Sequence, residues 1–159
     1  MADERAELRI GILSDTHGLL RPEALEHLRG ADHIIHAGDI GASGIIEALE
    51  AIAPTTAIRG NVDTASWAAR FPETATIHLA GLRIHVLHDR KALDPGALGD
   101  STDVVISGHS HRPGIERSGD VLFLNPGSAG PRRFRLPVTA ATLLVGPGGL
   151  RPEIRTILP

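Results

Sequence analysis

The 159-residue chain contains no cysteine. That absence removes disulfide frameworks, thiolate nucleophiles, thiolate zinc sites and iron–sulfur clusters together. Aromatic residues are nearly as scarce, with no tyrosine, one tryptophan and three phenylalanines. Platforms for stacking single-stranded nucleic acid are therefore few, and a formal charge of −3 with a pI near 6.3 argues against a general polyanion binder. No apolar run approaches the ~20 residues of a membrane span, and the charged start Met1-Ala-Asp-Glu-Arg-Ala-Glu lacks a secretory core. The chain reads as one cytoplasmic domain, residues 1–159, without a membrane partner or a long nucleic acid; self-association into a homo-oligomer stays open. Lysine is reduced to Lys91 beside 15 arginines, a compositional bias. Against these shortages stand nine histidines, which leave metal chemistry through nitrogen and oxygen donors available.

Leu8 to Ser14 has the length and composition of a buried strand. Pro22 then opens a helix with Leu25 and Leu28 on one face and Gly30 as its stop. His33 to Ala37 reads as a second strand. Ser43 is expected to cap a helix carrying Ile45, Ile46, Leu49 and Ile52 that ends before Pro54, and Thr55 to Arg59 is a third strand. This βαβαβ order implies a parallel sheet whose ligands bind beyond the carboxyl ends of the strands. From about residue 75 the rhythm changes to strands joined by tight turns: Ala75 to Leu79, Leu82 to Leu87, Asp103 to Ser107, Gly114 to Arg117 and Val121 to Asn125. A short helix is expected from Asp94 to Leu98, and a last hairpin pairs Val138 to Val145 with Leu150 to Ile157. The fold class is α/β, with two sheets packed together.

Nearly every strand ends in residues that are poor turn formers and good ligands: Asp15-Thr16-His17, Gly38-Asp39, Gly60-Asn61-Val62-Asp63, His88-Asp89 and Gly108-His109-Ser110-His111. Strands at neighbouring positions of one sheet would bring them to one edge. Carboxylate, imidazole and carboxamide donors together suit Mn, Fe, Zn or Ni, whereas magnesium or calcium sites are built almost wholly from oxygen. Seven candidates, Asp15, His17, Asp39, Asn61, His88, His109 and His111, are too many for one tetrahedral ion and enough for two metals sharing a carboxylate. Any one of these elements alone reads as an ordinary turn; five in order do not. His36 reads as a hydrogen-bonded core histidine, and His27, His33 and His78 as surface or element-end residues. His85 shares the spacing of Leu87 and so is assigned to that core face, with a minor role as a fallback ligand. Arg132, Arg133 and Arg135 are candidates for contacting a substrate phosphate.

In order and spacing, Asp15-x-His17, Gly38-Asp39, Gly60-Asn61-x-Asp63, His88 and Gly108-His109-x-His111, followed by Asn125-Pro126-Gly127-Ser128, resemble the calcineurin-like metallophosphoesterases. The chain looks most like their small bacterial and archaeal phosphodiesterase branch, to which the non-catalytic sorting subunit of retromer is related. The resemblance implies two mixed β-sheets packed face to face with flanking helices, the four-layer sandwich of that family. It implies one metal held by Asp15, His17, Asp39 and His111, and another by Asp39, Asn61, His88 and His109, with Mn as the leading identity and Asp39 bridging. Asp39, Asn61 and His88 would be catalytic with a metal-bridging water, which two dications acidify for in-line attack on phosphorus. The expected function is hydrolysis of a small phosphodiester; the alternative is a non-catalytic scaffold on the same fold. Two departures bear on the reaction. Larger members carry a His after the motif Asn, where this chain has Val62, so the imidazole general acid is missing and diesters or good leaving groups are favoured. Asp63 is left to hold its loop, and Asp89 stands where the family usually has Gly.

Overall fold

The computed structural model describes residues 7–98, 101–133 and 135–159. Its first sheet combines β1 (Leu8–Leu13), β2 (His33–His36), β3 (Thr55–Ala57), β9 (Val138–Gly146) and β10 (Gly149–Leu158) in the order β10-β9-β1-β2-β3. The second combines β4 (Thr74–Leu79), β5 (Leu82–Leu87), β6 (Val104–Ile106), β7 (Gly114–Ser118) and β8 (Val121–Asn125) in the order β4-β5-β6-β8-β7. Both sheets are mixed: β1, β2 and β3 run parallel while β9 and β10 are antiparallel, and β5, β6 and β8 run parallel between antiparallel edges. The expected two-sheet α/β class is the observed one. The last hairpin, β9–β10, belongs to the first sheet: β9 returns to pair with β1, with Ile10 opposite Leu143.

Alternation along the strands divides the core in two. Ile10, Ile12, Ile35, Ile84, Val86, Ile106, Leu122 and Leu143 fill the space between the sheets. On the other face of the first sheet, Leu13 and Ile34 meet α1 (Pro22–Leu28) and α2 (Gly44–Glu50) through Ala24, Leu28, Ile45, Ile46 and Leu49. Each fully buried Ile or Leu contributes roughly 1.5–3 kcal/mol relative to exposure, so these two layers hold the strand tips in place.

Several local expectations are corrected. Ser43 does not cap α2: its backbone is already helical (φ −64°, ψ −31°), and its side chain makes no cap bond. A capping side chain needs an extended backbone to reach the free amides. His27 is buried rather than surface, because it shares the α1 face of Ala24 and Leu28 and is turned onto β9, where its Nε2–H donates to the Ala141 carbonyl at 2.9 Å. His85 points away from the inter-sheet core, opposite to Ile84 and Val86, and bonds Thr76 Oγ1 at 2.9 Å. Two short 3-10 helices, Ser66–Arg70 and Arg90–Ala92, lie in stretches read as loop. The helix α3 (Pro95–Leu98) occupies the expected place.

Candidate metal centre

The parallel strands of each sheet end at the same side, and the two sides face one another. Residues 15–17, 38–39 and 60–63 follow β1, β2 and β3; residues 88–89 and 107–111 follow β5 and β6. The site is therefore built across two sheet edges rather than along one. Two clusters result: Asp15 with His17 and His111, and Asp39 with His88 and His109, the candidate ligand atoms of each lying within 4.8 Å of one another. His88 joins them, with Nε2 3.1 Å from Asp39 Oδ2 and 3.8 Å from Asp15 Oδ1. His17 Nε2 likewise lies 3.6 Å from Asp39 Oδ2 and 3.8 Å from Asp15 Oδ1, and His111 Nε2 is 3.6 Å from Asp15 Oδ1. Six of the seven sequence candidates are thus gathered. The seventh, Asn61, is exposed and lines a cleft with His88 and Asp63.

Glycine at the head of three motifs has a packing reason. A Cβ at Gly38 would stand 2.6 Å from His88 Nδ1, one at Gly108 would stand 2.8 Å from Asp15 Oδ2, and one at Gly60 would collide with Asp39. Only a hydrogen at these positions lets the loops of different strands touch. The residues after them are strained as well: Asp15, His17, Asp39, His109 and His111 all have φ between 47° and 71°. Among the described residues the only other non-glycine residue with positive φ is Ala80, in the β4–β5 turn. Such conformations cost of order 1–3 kcal/mol each and persist where surrounding structure imposes them.

Polar braces supply that imposition. Asp63 accepts the amides of Ile40 (2.9 Å) and Gly60 (2.8 Å) on Oδ2 and of Gly41 (2.9 Å) on Oδ1, tying the Asn61 loop to the Asp39 loop. Asp39 Oδ1 accepts the Val62 amide at 3.1 Å, and Asp15 Oδ2 the His109 amide at 3.1 Å. Asn125 donates to the Gly108 carbonyl and to Ser110 Oγ, bracing the His109–His111 loop. His36 is the expected core histidine: its Nδ1 accepts the Gly38 amide, so Nε2–H donates to Thr16 Oγ1 at 2.9 Å. Burial pushes it down to about 3.

A cation fits the donors that remain. His88 Nδ1–H donates to the Ala37 carbonyl at 2.8 Å, which leaves Nε2 aimed at two carboxylates; burial works to lower this imidazole, but the Asp39 contact, the Ala37 bond and the charge of Asp15 and Asp39 hold it above its ordinary value. Asp15 Oδ1, His17 Nε2 and His88 Nε2 are buried without hydrogen-bond partners. Acceptors facing one another repel unless a proton or a metal ion stands between them. Burial raises Asp15 to about 6 despite the opposing pull of His88. For Asp39, burial works upward too, but the His88 contact, the Val62 amide and neighbouring imidazoles outweigh it and hold the carboxyl at about 2. Burial lowers His111 to about 4 and lowers His17 as well, with Arg133 adding to the effect at both. Arg132 is turned to the Pro159 carbonyl instead. Asp89 accepts the Lys91 amide at 3.0 Å through Oδ1 and leaves Oδ2 3.8 Å from His109 Nε2.

Residues 8–147 match the family model described as calcineurin-like phosphoesterase superfamily domain. A probable metallophosphoesterase of Methanothermobacter thermautotrophicus is 34% identical over 131 residues, 75% of this chain and 76% of that protein. Among solved structures, one described as a novel archaeal phosphodiesterase superposes with a TM-score of 0.72 at 25% identity, covering 93% of this chain and 100% of the other. Vacuolar protein sorting 29 of Cryptosporidium parvum superposes with a TM-score of 0.75 at 18% identity, covering 94% and 97%.

Proposed function

Because this chain belongs to the calcineurin-like phosphoesterase superfamily, and so to the metallophosphoesterases, we propose that it hydrolyses a small phosphodiester with two divalent metal ions. The observation that carries this reading is the pair of ligand clusters facing each other across Asp39 and His88. Asp15, His17, Asp39 and His111 would hold one ion, and Asp39, Asn61, His88 and His109 the other, with Mn the leading candidate. Ions bound there would supply Lewis acidity to the phosphoryl oxygens and acidity to a shared water.

The chain's own residues do the rest by position. The Ala37 carbonyl keeps His88 in the tautomer that offers Nε2 to the site, and Asp63 keeps the Asp39 and Asn61 loops in register. Val62, 49% exposed beside Asn61, cannot protonate a leaving oxygen. A departing alkoxide therefore gets no imidazole assistance, which favours diesters and good leaving groups over alkyl monoesters. The second reading is a partner-binding module, favoured by the fold likeness to vacuolar protein sorting 29. The complete donor set weighs against it, since a scaffold has no need of five strained ligand positions.

The test is protein purified without chelator, loaded with Mn²⁺, counted for bound metal, and assayed on bis(p-nitrophenyl) phosphate and p-nitrophenyl phosphate. Diester turnover should be lost on chelation and fall roughly 100-fold or more in Asp39→Asn, which removes a charge from both clusters. Less than about one metal per chain, or turnover indifferent to that substitution, would reject the catalytic reading. Preference for the monoester would reject the part drawn from Val62.

A further inference from the structure

Two clefts flank the cluster containing His88 and His109, and Asp89 lines both. The larger, about 510 Å³, runs over the outer face of β7 and β8 beside the loop that carries His109; the smaller, about 470 Å³, holds Asn61 and His88. The larger cleft adjoins the ligand cluster through Gly108, Ser110 and Asp89, while the smaller one contains Asn61 and His88, so the two lie on either side of the cluster as the two arms of a diester would. Their charges differ. In the smaller cleft the cation Arg59 is paired with Glu73 at 3.3 Å and donates to the Phe71 carbonyl at 2.5 Å, and the oxygens of Asp63 are taken by backbone amides. In the larger one Lys91 and Arg112 are exposed and, among the described residues, have no carboxylate partner.

The larger cleft also has an apolar part. Ile115 is 44% exposed, and the guanidinium of Arg90 lies 4.0 Å from the centroid of the Phe123 ring, held there by Glu116 at 2.7 Å. A guanidinium held over a ring by a carboxylate keeps exposed π surface on which a planar base can stack. The wall toward the metal cluster is rigid, because Asn125 ties Gly108 and Ser110 together and Asp89 ties down the Lys91 backbone. Platform, two cations without carboxylate partners and a braced wall lie within one space beside the ligand cluster, the combination expected of a preformed ligand site.

We infer that the larger cleft seats one arm of the substrate, and that this arm is a nucleotide: its base lies on the Arg90–Phe123 platform and a further phosphate, beyond the one being hydrolysed, meets Lys91 and Arg112. The inference rests on the phosphodiesterase reading for the placement of the scissile phosphate; the smaller cleft then takes an arm without extra negative charge.

Calorimetric titration of Mn²⁺-loaded protein with inorganic phosphate, adenosine 5′-monophosphate and adenosine 3′,5′-bisphosphate tests it. Affinity should rise along that series, and Lys91→Glu combined with Arg112→Glu should weaken the bisphosphate by tenfold or more while moving inorganic phosphate by less than about twofold. Equal affinity for the three probes, or a bisphosphate affinity indifferent to the double charge reversal, would overturn the inference. Bound-metal counts on both proteins show that the centre is intact in each. Hydrolysis of bis(p-nitrophenyl) phosphate is measured beside binding, so an inactive protein that still shows the affinity series would sink the phosphodiesterase reading and leave the nucleotide site standing.

Discussion

Asp63→Asn changes one oxygen for an amide group and leaves the side-chain shape intact, yet it should be costly. The buried carboxylate accepts three backbone amides, two on Oδ2 and one on Oδ1. In either orientation the Asn amide nitrogen faces a donor, Gly41 in one and both Ile40 and Gly60 in the other, so at least one bond is replaced by opposed N–H groups. Hydrogen bonds to a charged group are each worth about 1.5–3 kcal/mol, and the surviving ones weaken when the charge is removed, so a loss of about 2–4 kcal/mol is expected. With a urea slope of roughly 1–3 kcal/mol/M, the unfolding midpoint of metal-free protein should fall by about 1 M or more. Because the lost bonds hold the Asp39 loop against the Asn61 loop, metal affinity should drop roughly 10–100-fold as well. Midpoint and Mn²⁺ titration are measured together, with Asp120→Asn in the exposed β7–β8 turn as control. A midpoint within 0.3 M of wild type (roughly 0.6 kcal/mol), with unchanged metal affinity, would refute the claim that Asp63 braces the centre.

Gly38→Ala places a methyl 2.6 Å from His88 Nδ1 at a backbone φ of +98°. Backbone strain alone should remove about 1–3 kcal/mol, and the displaced imidazole should release metal; a variant with wild-type melting and full metal content would contradict the close-approach argument. The buried His36 provides a pH test of stability. Its folded-state value, lowered to about 3, means that below about 6.5 the unfolded chain takes up a proton the native state refuses, so its contribution declines as pH falls. Asp15, raised to about 6, acts with the opposite sign, so the quantity to measure is a difference. The stability of metal-free wild type minus that of His36→Asn should shrink between pH 6.5 and 5, with a limiting slope of about 1.4 kcal/mol per unit; a constant difference would rule the reasoning out.

The order of strands and the ligand types were legible because both are local. Alternation and turn residues place β5 at Leu82–Leu87 and β8 at Val121–Asn125 with no error in either boundary, and the donor residues stand directly after the strands. Asp63 could be read as holding its loop, whereas the bracing by Asn125 joins residues distant in the chain. His27 and His85 were misread because burial depends on which face a neighbouring element covers. Leu25 suggested the wrong edge of α1, and the last residue of β5 is buried on a different account from the strand interior.

By itself, then, the sequence determined the inventory: an α/β order, a cysteine-free set of nitrogen and oxygen donors, and the missing imidazole at Val62. Tertiary structure alone decided how the inventory is assembled. The pairing of β9 with β1, the junction of two sheet edges at one centre, the left-handed backbone of five donors and the unequal charge of the two clefts all join residues distant in the chain. Such contacts follow from the burial of two faces at once, a condition that no local spacing encodes.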